Sequence, residues 1–177
     1  KREEEFSQHL ADNLDIFSPI LGVDLEDVPG RIEVPIGPYR CDIIAQSIDG
    51  TIITIENQFG RSDHPHLGKL MTYMANMKNV KIAVWVCEET TEEHTEAVRW
   101  LNRNSAEDTL FYLIEASLID VGDVKAIIDL SPVVRPSKPP LVGSQVTYPF
   151  RPLLSELVNR FKQTHPEVKF SKQPPTG

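Results

Sequence analysis

The chain has 177 residues, a formal net charge of −8, 40% apolar and 25% charged residues. That is the balance of a folded domain with a modest appendage, not of a disordered segment or of two full domains. Its longest unbroken apolar run, Ile82 to Cys87, is far too short to span a bilayer, so no membrane partner is expected.

Residues 2–15 are expected to form a helix, because Phe6, Leu10 and Leu14 recur on one face. Ile32 to Ile36 and Tyr39 to Ile48 have strand character, and Asp49-Gly50 marks a turn before a third strand, Thr51 to Asn57. His64 to Met77 is helical in pattern, through Leu67, Leu70, Met74 and Met77, with Pro65 in the first turn. Val80 to Val86 is β-branched and apolar throughout, as a strand covered on both faces should be. Thr91 to Asn104 returns to helix with Thr91 as cap, and Leu110 to Val121 and Lys125 to Val134 form two further strands joined at Gly122-Asp123. Trp85 and Trp100 are expected to pack in the core and against the helices. Such an order predicts an α/β fold: a mixed central sheet flanked by helices.

Nine of the fourteen prolines fall in residues 132–177, so the domain is expected to end near 135. A Pro-rich linker over 136–148 follows, then a helix and tail over 149–177 that would begin a further C-terminal domain lying outside this chain. Lys1 at the start suggests a trimmed N-terminus. Cys41 and Cys87 match neither a disulfide framework nor a zinc site and are read as buried thiols of a reducing, cytoplasmic protein.

Charge is unevenly placed. Residues 1–56 hold 4 basic and 12 acidic side chains, whereas residues 57–81 hold 4 basic and 1 acidic. Where the acidic stretch ends, Asp42 and Glu56 sit on neighbouring strands of one hairpin, with Gln58 two residues on. Alternation puts Glu56 and Gln58 on one face. A two-residue turn at Asp49-Gly50 would pair 43 with 56 and leave Asp42 on the wrong side; a connection of three or five residues, or one bulge, brings it across. The odd connection or the bulge is the expectation. Two carboxylates about 4 Å apart repel by roughly 4 kcal/mol at a surface-like dielectric, so they share a proton or hold a cation, and magnesium suits such oxygen ligands. Of the three glutamates in the first helix, only Glu3 stands at i−3 and i−7 to Phe6 and Leu10, on the face turned inward. On the following helix, His66, Lys69 and Tyr73 fall at i, i+3 and i+7, a cation, an imidazole and a phenol suited to a phosphodiester. The N-terminus of that helix near His64 adds a favourable field for anions.

These segments resemble a known family. Cys41-Asp42-Ile43-Ile44-Ala45, then Ile55-Glu56-Asn57-Gln58-Phe59, then Ser62 through Tyr73 are similar to the PD-(D/E)xK nuclease superfamily, in a bacterial RecB-like branch reading D…ENQ…DHxHLGQLLTY. Glu92-Glu93-His94 with Trp100-Leu101-Asn102, and the Phe6 to Asn13 segment, match more weakly. The resemblance covers roughly residues 3–135 and implies a restriction-endonuclease-like αβββαβ core. It also implies a magnesium- or manganese-dependent DNA endonuclease of a bacterial defence or restriction-type system; cutting both strands of a duplex would call for a homodimer. By this resemblance Asp42, Glu56, the backbone carbonyl of Asn57 and Glu3 would hold the metal. Gln58, in place of the superfamily lysine, would aim the attacking water. Lys69, where glutamine is usual, and Tyr73 would hold the phosphate, and Arg61, His64 and His66 would join them on nucleic acid. The rival reading is a non-catalytic nucleic-acid-binding or interaction module on the same scaffold, with Gln58 and Lys69 as marks of lost chemistry.

Overall fold

A computed structural model describes residues 2–26, 30–119 and 127–137, all within the compact unit Lys1–Gln145. The expected helix and tail over 149–177, the join at Gly122-Asp123 and all but two residues of the expected linker lie outside the described residues. The elements in chain order are α1 (Arg2–Asp12), a 3-10 turn (Leu14–Phe17), α2 (Ser18–Leu21), β1 (Arg31–Ile36), β2 (Tyr39–Gln46) and β3 (Ile52–Asn57). Then come α3 (His64–Asn76), β4 (Val80–Cys87), α4 (Glu92–Asn104), β5 (Leu110–Ile119) and β6 (Ile127–Val134). The α/β class and the helix, three strands, helix, strand order match the expectation, apart from the short turn and α2 after the first helix.

The six strands form one sheet in chain order, antiparallel across β1, β2 and β3, parallel across β3, β4 and β5, and antiparallel again at β6. Parallel neighbours need crossovers, and α3 and α4 supply them. Both crossovers step the same way along the sheet, so both helices cover one face: Leu70 of α3 and Val98 and Leu101 of α4 pack on Ala83, Trp85 and Leu113. The opposite face is closed by Leu10, Leu14, Phe17 and Leu21 against Ile43, Ile55, Val84 and Ile114. β4 is thus buried on both sides, as its unbroken apolar composition requires.

Side chains start both crossover helices. Asp63 accepts from the backbone N–H of His66, with Pro65 in the first turn of α3, and Thr91 accepts from the backbone N–H of His94. Trp85 is core, but Trp100 is 56% exposed, contrary to expectation, because it lies on the outer side of α4. Both cysteines are free and buried. No helix among the described residues is long and apolar enough to cross a membrane.

Candidate active site

The β2–β3 register is Ile43 with Ile55, Ile44 with Thr54, Ala45 with Ile53 and Gln46 with Ile52. Five residues, 47–51, connect the strands, which is the odd connection the parity argument required. Continuing the register by one step sets Asp42 opposite Glu56. The backbone N–H of Asn57 donates to Oδ2 of Asp42 at 2.8 Å and ties the carboxylate to the end of β3.

Glu56 is fully buried. Its Oε1 accepts from the ammonium of Lys69 at 2.5 Å, while Oε2 has no hydrogen-bond partner. Burial, then the neighbouring Asp42 charge, push the Glu56 carboxyl up to about 7 against the pull of Lys69. Burial also raises Asp42, opposed by the Asn57 N–H and Lys69 and reinforced by Glu33. At Lys69, burial works against the charge, but the bond to Glu56, with Asp42 and Asp63 nearby, holds its ammonium above the ordinary range. The result is a buried acid pair facing one cation from α3.

Other residues named from the sequence stand differently. Gln58 is buried with its amide fully engaged: Nε2 donates to the Arg61 carbonyl at 2.6 Å and Oε1 accepts from the Trp85 indole at 2.9 Å. It braces the loop into α3 and is not open to aim a water. Tyr73 is also buried; its hydroxyl donates to the Arg40 carbonyl at 2.6 Å, and burial, then the neighbouring Glu56 charge, push the phenol up, so its tip stands beside the acid pair. It lies three residues from Leu70, so the helical period carries it to the packed side, where a phenol can bury its ring and satisfy its tip. Glu3 is exposed, and its Oε1 accepts from the Phe59 N–H at 3.2 Å instead of joining Asp42 and Glu56. The side chain of Asn57 turns to the α1 face, where Oδ1 accepts from the buried Ser7 hydroxyl at 3.1 Å. Its carbonyl lies one peptide beyond Glu56, at the end of β3.

At the start of α3, Nδ1 of His66 meets Oδ1 of Asp63 at 2.6 Å, and exposed Arg61 pairs with Glu89 at 3.1 Å. His64 Nδ1 lies 2.6 Å from Nε2 of buried His94, whose Nδ1 is 2.8 Å from the Ser62 hydroxyl. Burial and the neighbouring His64 hold the His94 imidazole below its ordinary range. This chain locks the N-termini of α3 and α4 together. The sequence reading missed both Asp63 and His94 as organisers, although an Asp two residues before a proline-led helix is a recognisable cap signal. It also passed over Glu33, which no periodicity marks.

Among the described residues, no three His, Cys, Asp or Glu side chains stand close enough to form a ready-made metal centre. Two carboxylates with one unpartnered buried oxygen nevertheless suit a hard divalent ion, because magnesium takes one or two carboxylates and completes its shell with water and substrate phosphate. The donor set fits.

Among the solved structures that resemble part of the chain are two. One is an EndoMS complex with double-stranded DNA, at 20% identity and a TM-score of 0.46, matching 64% of this chain and 44% of that one. The other is a repair endonuclease from Pyrococcus abyssi, at 19% identity and a TM-score of 0.40, matching 51% and 42%. The chain spans less than half the length of either. The likeness is one of partial fold. No protein-family model matches the sequence, and no curated protein matches it.

Proposed function

We propose that this chain carries a divalent-metal-dependent endonuclease domain that hydrolyses phosphodiester bonds of DNA, of the RecB-like PD-(D/E)xK branch its motifs resemble. The observation that supports this best is the register pair Asp42 and Glu56, with Oε2 of the buried Glu56 left without a partner. Asp42 and Glu56 would hold the ion, with the Asn57 carbonyl beside them. Magnesium or manganese, when bound, supplies charge to polarise the phosphoryl oxygen and acidify an attacking water. Lys69 neutralises the acid pair and, once released from Glu56, is placed to meet a phosphate oxygen. His64 and His66, on the first turn of α3, add donors where the helix field favours an anion, and Arg61 is exposed on the approach. Gln58 holds the loop into α3, and Tyr73 ties α3 to β2 beside Glu56. A cytoplasmic setting, for which the two unpaired buried thiols are suited, a role in bacterial defence and action as a homodimer on duplex DNA complete the proposal.

The test is cleavage of plasmid, single-stranded DNA and RNA by the purified chain, with and without magnesium or manganese. Asp42→Ala and Glu56→Ala should each abolish metal-dependent DNA cleavage while the circular dichroism spectrum stays unchanged; cleavage retained in either would refute the site. One observation favours a second reading, a binding module without catalysis: the Lys69 ammonium already occupies Oε1 of Glu56. In that case manganese titration would show no binding that depends on Glu56.

A further inference from the structure

On β1 and β2, Ile32 pairs with Ile43 and Val34 with Cys41, so Glu33 stands opposite Asp42 from the other side. Glu33, Asp42 and Glu56 therefore occupy one rung across three adjacent strands. Glu33 adopts a left-handed backbone, φ +51°, and its carbonyl accepts from the Arg40 guanidinium at 3.0 Å. Glycine would hold that conformation without strain, whereas a glutamate does so at a cost that surroundings must impose. Strained residues of this kind gather at functional sites. Glu33 is half-buried, and its charge is felt at Asp42. At the far end of the same rung lies the unpartnered Oε2 of the fully buried Glu56.

We infer that Glu33 is the third carboxylate of the divalent-cation site, filling the role the sequence suggested for Glu3. The inference rests on the proposed metal site and adds a ligand to it. Glu3 is committed to the Phe59 N–H on the α1 side, whereas Glu33 shares the rung of both other acids. A glutamate has three rotatable side-chain bonds, enough to swing its carboxylate toward Asp42 when an ion draws it in. Three carboxylates plus water form an oxygen shell that a hard cation accepts.

Manganese binding to the full chain, followed by titration calorimetry, tests this without reference to cleavage. Glu33→Gln should weaken binding by about tenfold or more, and Glu3→Gln should leave it within about twofold of the parent. Glu33→Gly relieves the left-handed backbone, so it should melt higher than the parent and still bind manganese weakly. Parent-like binding by Glu33→Gln, with binding lost in Asp42→Asn, would overturn the role of Glu33 and leave the metal site standing. No binding by the parent, or parent-like binding by Asp42→Asn, would overturn the site and this inference together.

Discussion

The Lys69 ammonium of α3 lies 2.5 Å from Oε1 of the fully buried Glu56 on β3. A cation that the resemblance would place two residues after Glu56, where Gln58 stands, here reaches the same carboxylate from the next helix. The pair is one-sided, since Lys69 keeps partial contact with solvent while Glu56 has none. Breaking it leaves the acid, not the base, in difficulty.

Lys69→Met should therefore hold the proton on Glu56 more tightly. The proposed cleavage should fall by about a hundredfold near neutral pH, and its rise with pH should move to higher values. A pH–rate profile of parent and variant checks this; an unshifted profile would separate Lys69 from the ionisation of Glu56.

Metal-free stability should carry the signature of Glu56. Its carboxyl is raised from the ordinary 4.5 to about 7 on folding, so the folded state holds the proton more tightly. The stabilisation is complete below about pH 4.5 and is lost as pH rises to about 7. His94, depressed on folding, contributes in the opposite sense as pH rises toward its ordinary value, so the comparison must be with Glu56→Gln. That variant should melt increasingly above the parent between about pH 4.5 and 7 and stay above it at pH 8. A gap in melting temperature that stays constant across this window would contradict the burial of an ionisable carboxyl.

Tyr73→Phe removes a hydroxyl that donates to the Arg40 carbonyl and stands beside Glu56. The expected loss is about 1 kcal/mol of stability in urea unfolding, with cleavage within about twofold of the parent. A large fall in cleavage at unchanged stability would instead give the phenol a role on the phosphate.

Gln58→Ala strips partners from the Trp85 indole and the Arg61 carbonyl at once. Two groups lose their bonds, at a cost of about 3 kcal/mol, and Trp85 fluorescence should shift as its surroundings change. An unchanged emission maximum would show that the Gln58 amide is not what holds the indole.

Much of this frame was legible from local pattern. The apolar stripe of α3, the cap at Thr91 and the unbroken β4 each depend on residues within a few positions of one another. The facing of Asp42 and Glu56 was legible as a condition: side chains alternate along a strand, so an odd connection or a bulge had to join them, and five residues intervene. Tyr73 shows the limit. The spacing His66, Lys69, Tyr73 suggested a polar face, but the helix buries Tyr73 because its tip finds the Arg40 carbonyl 33 residues away.

By itself the sequence determined the order of the main helices and strands, the two-sided burial of β4, and two acids able to meet on one hairpin. Only the tertiary structure decided what stands across from each side chain: Lys69 on Glu56, Glu3 on the Phe59 N–H, and Glu33 on the rung of Asp42. The reason is physical. Periodicity encodes the direction in which a residue points along its own element, whereas the group it meets arrives from a distant segment through packing that no local spacing records.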